Sequence, residues 1–197
     1  LRARVRSHLQ DSIMTKMILQ DQAAGLRNLV SFRAADSARV FTIAGGTTRV
    51  GKTSVAVNLA TALAKNGQRV LLIDENPCHN SICTNLGLQA RFDLLHVINK
   101  DKKLNQVLLQ GPENITILSA MRGIHTLNKL NSHEQNWLIK SFSELTETVD
   151  IVLIDTAMSG ATHVLPLSLA SEQVIIVISG SAASLTGAYA LIKILSQ

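Results

Sequence analysis

Short aliphatic and β-branched runs alternate with segments of helical periodicity from residue 39 onward. Five such runs predict strands, at residues 40–44, 70–74, 115–118, 151–155 and 174–178. Each run is almost entirely apolar, which is typical of parallel strands that helices cover on both faces. The chain is therefore expected to have an α/β fold with a mainly parallel sheet.

The segments between the strands predict helices. Residues 52–66 place apolar side chains and alanines at helical spacing, and Gly67 is expected to end that helix. Ser132 and Gln135 predict a capping box that opens a second helix, in which Leu138, Phe142 and Leu145 share one face. Residues 92–109 predict two short helices.

The first 38 residues form a separate tail in this interpretation, and residues 39–197 form the domain. Leu19, Ala23, Leu26 and Val30 fall at helical spacing, and residues 31–37 resemble a linker. The tail is therefore expected to be a short amphipathic helix on a tether. Its apolar stripe either docks on its own domain or meets a partner.

Charge and cysteine usage exclude several classes of protein. Residues 1–40 carry seven Lys and Arg against three acids, whereas residues 41–197 carry twelve against eleven. The domain thus offers no basic surface for nucleic acid. Cys78 and Cys83 have no partner spacing for a disulfide framework or a zinc site. Without an apolar run of membrane-spanning length, a cytoplasmic location is expected.

A glycine-rich segment directly follows the first predicted strand. Gly46, Gly51, Lys52 and Thr53 have Walker A spacing and open a predicted helix, so backbone amides would cradle phosphate at the helix N-terminus. Lys52 would neutralise the β- and γ-phosphates, and the Thr53 hydroxyl would ligate Mg²⁺. The predicted nucleotide-binding residues are Gly46, Thr47, Thr48, Arg49, Val50, Gly51, Lys52, Thr53 and Ser54.

Two aspartates stand at the carboxyl ends of predicted strands. Open α/β sheets place their ligands at this edge, so Asp74 and Asp155 are expected near the glycine-rich loop. Asp155 follows an apolar run in the manner of a Walker B acid and would hold a metal-bound water. Thr53, Asp74 and Asp155 are the predicted metal-site residues.

Four stretches resemble the MinD/ParA group of P-loop ATPases, and more narrowly the MinD-like regulators of flagellar number and placement called FlhG, FleN or YlxH. They are "DQAAGLR" from residue 21, "DENPCHNSICTNLGL" from residue 74, "VLIDTAMSGA" from residue 152 and "SLTGAYALIK" from residue 184. The resemblance implies a SIMIBI-type P-loop NTPase fold, ATP or ADP with Mg²⁺ as cofactors, and a nucleotide-dependent homodimer.

The N-terminal stretch is similar to the family's "DQAxxLR" element. That element engages and activates a signal-recognition-type GTPase of the FlhF kind. The resemblance implies that Gln22 is the activating residue and that Leu26 and Arg27 also bind this partner. A flagellar C-ring component or a flagellar transcription regulator is a further partner that it implies.

Two departures from the family pattern bear on catalysis. The family loop reads Gly-Lys-Gly-Gly-x-Gly-Lys-Thr, and Thr47 stands where its first lysine would reach across the dimer. Asn76 stands where the second aspartate of the family's "DAD" positions the attacking water, and an amide has essentially no basicity. The predicted catalytic residues are Lys52, Asn76 and Asp155, with hydrolysis weak or lost.

Bulk in the loop adds to these departures. Thr48 and Arg49 replace family glycines and restrict the backbone angles that glycine leaves free. Arg49 could alternatively replace the missing cation, in the manner of an arginine finger. The family's later segments, which include a membrane-contacting amphipathic helix, do not occur in this sequence, so either a C-terminally truncated chain or the loss of these functions is expected. Peripheral contact with the inner membrane would require that helix.

Two other functions stay open at this stage. One is an active ATPase that cycles between monomer and dimer, and the other is a ParA-like protein associated with DNA partition. The near-neutral domain weighs against DNA binding, and the substitutions at Thr47 and Asn76 weigh against rapid turnover.

Overall fold

The computed structural model describes residues 38–76, 81–127, 129–157, 171 and 173–196. Six strands lie within these ranges: β1 Arg39–Ala44, β2 Val70–Asp74, β3 Leu109–Gln110, β4 Thr116–Ser119, β5 Ile151–Asp155 and β6 Gln173–Ile176. The helices are α1 Lys52–Lys65, α2 Ile82–Asn85, α3 Leu94–Ile98, α4 Ile124–Leu127, α5 Ser132–Thr146 and α6 Ala182–Leu195. Two 3₁₀ turns cover Leu104–Gln106 and Pro112–Asn114.

The strands form one sheet in the order β3-β4-β2-β5-β1-β6. All neighbouring strands are parallel except β3, which pairs antiparallel with β4. Parallel neighbours need crossover connections, and α1 supplies the first one, between β1 and β2. The carboxyl ends of the parallel strands consequently meet at one edge of the sheet.

Helices bury both faces of this sheet. Alternate residues of β2 point to opposite sides, so Leu71 and Ile73 join one core while Val70 and Leu72 join the other. The first core contains α3 and α5 and the second contains α1. Ala56 and Ala60 of α1 are fully buried against the sheet, because their small side chains allow the helix to lie close to the strands.

The structure confirms the α/β fold and all five predicted strands. It adds β3, a two-residue edge strand that pairs only with β4. The predicted first helix ends one residue before Asn66, and Gly67 follows with φ +83°. Residues 92–109 contain the two short helices predicted there, α3 and the 3₁₀ turn Leu104–Gln106.

The predicted capping box was placed one residue too late. Asn131 is the N-cap of α5, and its side chain accepts from the Glu134 amide at 3.0 Å. The Glu134 carboxylate accepts in return from the Asn131 amide at 2.9 Å. Asparagine caps at least as well as serine and its partner is a carboxylate, so this pair prevails over Ser132 and Gln135.

Residues 1–37 of the tail, including Leu19, Gln22, Leu26 and Arg27, lie outside the described residues, as do Cys78 and His79. In the described part of the chain, no helix has the length and apolar character needed to cross a bilayer.

Candidate nucleotide-binding site

The glycine-rich loop joins β1 to α1 at the carboxyl edge of the sheet. The chain leaves β1 at Ala44 and enters α1 at Lys52, and Gly51 precedes the helix with φ +94°. Arg49 is held at φ +60°, a left-handed conformation that favours glycine. The loop thus retains the backbone path of a glycine-rich turn, with strain at the one position where arginine replaces the family glycine.

Lys52 is the first residue of α1, and its side chain is directed into the site. The residue is only 9% exposed, and burial lowers the pKa of its ammonium while the charge of Asp155 opposes that shift. A buried ammonium beside a carboxylate provides a cation at the head of the helix, where the backbone amides also concentrate positive potential. This arrangement suits an anionic ligand.

Asp155 ends β5 and is completely buried. Burial raises its pKa to about 7, against the hydrogen bond from Thr53 and the attraction of Lys52. Its Oδ2 accepts from the Asn76 amide nitrogen at 2.7 Å, whereas its Oδ1 has no hydrogen-bond partner among the described residues. Asp155 therefore presents one unsatisfied oxygen in the buried site that it shares with Lys52 and Thr53.

Asp74 ends the neighbouring strand, where it pairs in register with Asp155. Its Oδ1 accepts from the Asn76 backbone amide at 3.0 Å, and its Oδ2 accepts from the Ile82 amide at 2.7 Å. Burial nevertheless raises the pKa of this carboxyl. Since both oxygens already bind backbone N–H groups, Asp74 orients the chain from β2 to α2, and Asp155 has the more available oxygen.

Asn76 connects the two aspartates. Its side-chain nitrogen donates to Asp155 Oδ2, and the same nitrogen lies 3.4 Å from Asp74 Oδ1. The amide therefore acts as a donor between two buried acids, a position in which a third carboxylate would be repelled. In this orientation Asn76 bridges the two aspartates, and its amide is not basic enough to take a proton from a water molecule.

These residues fit a magnesium ion by their chemistry. The Thr53 hydroxyl and the Asp155 carboxylate are oxygen ligands, which Mg²⁺ prefers, and the buried unpartnered Asp155 Oδ1 is an acceptor that a metal-bound water would satisfy. Within the described residues, no group of three or more His, Cys, Asp or Glu could hold a metal. This agrees with the few protein ligands that Mg²⁺ takes when it binds with phosphates.

Glycines also set the approach of α6 to the loop. A Cβ on Gly46 would lie 1.9 Å from the Gly187 carbonyl carbon, and a Cβ on Gly187 would lie 2.4 Å from the Gly46 oxygen. The two backbones are therefore in direct contact. Glycine at both positions permits this contact, because a side chain at either one would overlap the backbone of the other.

Glu75 is a site residue that the sequence reasoning missed. It is 1% exposed, and burial raises its pKa to about 8, with the charges of Asp155 and Asp74 adding to the shift. Neither carboxylate oxygen makes a hydrogen bond of good geometry. The Ala157 amide lowers the pKa of Glu75 by less than burial raises it. The sequence does carry a signal, because a second acid, Glu75, directly follows Asp74 at the end of a predicted strand.

The structure thus brings together the loop, Lys52, Thr53, Asp74, Asn76 and Asp155. Thr48, Arg49 and Ser54 are exposed, and Thr47 is half-buried. Cys83 is buried and free, and burial raises the pKa of its thiol to about 11. Gln22, Leu26 and Arg27 lie outside the described residues, so their assignment to a partner stays a prediction.

A model for an AAA domain matches residues 38–197. The chain belongs to this family of AAA domains. Among curated relatives, this AAA domain is similar to the antiactivator FleN of Pseudomonas aeruginosa, with 36% identity over 81% of the chain and 57% of FleN. It is also similar to the flagellum site-determining protein YlxH of Helicobacter pylori, with 25% identity over 91% of the chain and 63% of YlxH. The chain therefore spans about three fifths of these relatives.

Solved structures show the same fold. The MinD cell division protein of Aquifex aeolicus superposes on this AAA domain with a TM-score of 0.63 and 25% identity, over 81% of the chain and 64% of MinD. Cobyrinic acid a,c-diamide synthase from Mycobacterium smegmatis, solved with bound ADP and magnesium, gives a TM-score of 0.61 and 22% identity over 81% of the chain and 69% of the synthase. The resemblance to MinD-like P-loop proteins is thereby confirmed.

Proposed function

We propose that this protein is a MinD-like, ATP-binding regulator of flagellar number and placement that acts by nucleotide-dependent contact. The observation that carries the proposal is the joined site at the head of α1, where Lys52 and Thr53 meet Asp155 while an amide, Asn76, takes the place of an acid. The site keeps its groups for binding phosphate and lacks a base at the position where relatives place a water.

The names of the two relatives support the biological setting. FleN is an antiactivator and YlxH determines the site of flagella. The proposal extends their role to a chain that matches about three fifths of each. It places the protein in the cytoplasm, with a homodimer as the nucleotide-dependent state.

The proposed cofactors are ATP or ADP with Mg²⁺, as in the synthase structure that contains ADP and magnesium. Lys52 would hold the terminal phosphates, and the loop amides from residues 46–54 would surround them. Thr53 and Asp155 would hold the metal and its water. Magnesium would neutralise phosphate charge and fix the orientation of the phosphate oxygens.

Hydrolysis is proposed to be weak or lost. Removing a transition-state cation or a water-positioning group typically slows an enzyme about 10²-fold or more, and this chain has Thr47 and Asn76 at the two positions. The nucleotide would then act as a switch for contact and would turn over slowly.

Calorimetric titration of the intact chain with Mg-ATP and with Mg-ADP tests the binding site. Measurable heat is expected, and Lys52→Ala should remove it. Lys65→Ala is the matched control, because Lys65 lies at the far end of the same helix and is exposed beside Glu113. Heat that persists in Lys52→Ala, or background heat in the natural sequence, would contradict a P-loop site.

A phosphate-release assay with Mg-ATP tests the weak turnover. The rate of the natural sequence is expected near that of Asp155→Ala, since Asn76 supplies no base. Brisk turnover that Asp155→Ala abolishes would instead favour an active ATPase.

The partner role of the tail needs a separate experiment. A peptide of residues 14–35 is expected to raise GTP hydrolysis by a signal-recognition-type flagellar GTPase, because it contains Gln22, Leu26 and Arg27. Gln22→Ala should remove the stimulation, and Gln20→Ala is the matched control. A peptide indifferent to Gln22→Ala would exclude this mechanism.

A further inference from the structure

A groove runs along α5, far from the phosphate loop in the sequence. It lies between α5 and the 3₁₀ turn Leu104–Gln106 and encloses about 700 Å³. Its apolar wall consists of Leu104, Leu108, Trp137 and Leu145. The last three are only half-buried although they pack against the core, so this face lacks a cover among the described residues.

The described chain begins beside this groove. Ala38 packs against the same core as Trp137 and Leu145. The Arg39 amide donates to the Asp150 carbonyl at 3.0 Å, and Thr148, which lines the groove, lies two residues before Asp150. Two residues span at most about 7 Å, so the tail leaves the domain at one end of the groove.

The tail also has the right length and pattern. Its stripe runs from Leu19 to Val30, and these eleven steps cover about 16 Å in a helix. The groove follows α5 from Trp137 to the end of the helix at Thr146, which is nine steps and about 14 Å, and it continues to Thr148. The seven linker residues 31–37 reach up to about 25 Å, more than enough to place Val30 near Thr148.

Charge fits the same placement. If Val30 is placed at the Thr148 end, Arg27 would lie level with Glu144, which is exposed at the rim. The rest of the rim carries Lys103 and Lys140, while the stripe itself is uncharged. A short tether makes such binding effective even when the affinity of the free segment is low, because the local concentration is of order millimolar.

We infer that residues 19–30 bind as an amphipathic helix in the groove between α5 and the 3₁₀ turn of the same chain. Docking would cover Leu26 and bring Gln22, at the edge of the stripe, against the domain. The tail would then be withheld from other proteins until it is released. This inference goes beyond the proposed function, since it concerns the resting position of the tail.

The single tryptophan of the chain, Trp137, is a reporter inside the groove. In the full chain, Leu26→Glu should release the tail, shift Trp137 emission to the red and increase quenching by acrylamide. Asn28→Glu is the matched control, because it adds the same charge on the opposite side of the helix. It should leave emission and quenching unchanged.

Cross-linking locates the occupant directly. A photoreactive p-benzoylphenylalanine at position 26 should form an intramolecular cross-link to residues 137–148 of the full chain. The inference would be overturned by cross-links elsewhere on the domain or between two chains. Identical Trp137 emission and quenching in the natural sequence, Leu26→Glu and Asn28→Glu would also overturn it. Neither readout needs nucleotide or a partner GTPase, so its failure is distinct from failure of the proposed function.

Discussion

Two buried aspartates in this protein have opposite surroundings. Asp93, before α3, is 3% exposed, and both of its oxygens are occupied: the Leu95 amide donates to one at 3.1 Å and the Arg122 guanidinium donates to the other. Asp155 is completely buried, yet one oxygen has no partner among the described residues. A cavity of about 350 Å³ is lined by both Asp93 and Asn76, so the two environments are neighbours.

The difference separates a structural acid from a site acid. Asp93 caps a helix and holds Arg122, so its charge is compensated within the fold. Asp155 and Glu75 retain uncompensated polar atoms, which are unfavourable unless something outside the chain satisfies them. These atoms therefore reduce the stability of the free protein, and the same atoms are available to bind a cation and phosphates.

The stability of the metal-free protein should depend strongly on pH. Glu75 has an ordinary pKa of 4.5 and a folded pKa of about 8, so the folded state binds more protons between these values. The free energy of unfolding should therefore fall as pH rises from about 4.5 to 8, by up to about 4 kcal/mol from this group. Urea denaturation at pH 5 and pH 8 measures the decline.

Glu75→Gln isolates this contribution. The variant should be the more stable protein at pH 8, and its stability should vary less with pH. Asp155, whose pKa rises to about 7, contributes a decline of the same sign that remains in the variant. Glu147→Gln, at an exposed position, is the control. An equal decline in Glu75→Gln and the natural sequence would show that the buried carboxyl is satisfied.

Replacing each aspartate by asparagine tests whether Asp93 is a structural acid and Asp155 a site acid. Asp93→Asn should lower the free energy of unfolding by about 2 kcal/mol, because it weakens the α3 cap and leaves Arg122 without its acid. Asp155→Asn should change stability at pH 8 by less, since the removal of an unsatisfied carboxylate offsets the loss of the acid beside Lys52. Urea denaturation measures both. A similar loss in the two variants would remove the distinction between structural and site acids.

Much of this arrangement follows from sequence, for identifiable reasons. Strands buried on both faces must be apolar throughout, so β1, β2 and β5 stand out, and parallel strands bring Asp74 and Asp155 to one edge. β3, in contrast, is a strand only because it pairs with β4, and its two residues are too few to show a strand pattern in the sequence. The burial of Glu75 also depends on tertiary packing, because local sequence shows the glutamate but not its surroundings.

Backbone strain in the loop should contribute a smaller change in stability. Arg49 occupies φ +60°, where a non-glycine residue is strained by about 1–2 kcal/mol. Arg49→Gly relieves this strain but increases the entropy of the unfolded chain, so a net gain of about 0.5 kcal/mol is expected in urea denaturation.

Lys100→Gly is the matched control for the loop variant. Lys100 has φ +64° after the end of α3, at an exposed position away from the loop, so it should give a similar gain in stability. Only Arg49→Gly should tighten Mg-ATP binding in calorimetry, because it restores the freedom of the phosphate loop. If binding weakens instead, the guanidinium of Arg49 contributes to holding phosphate. The strained backbone would then place that side chain where it contacts the ligand.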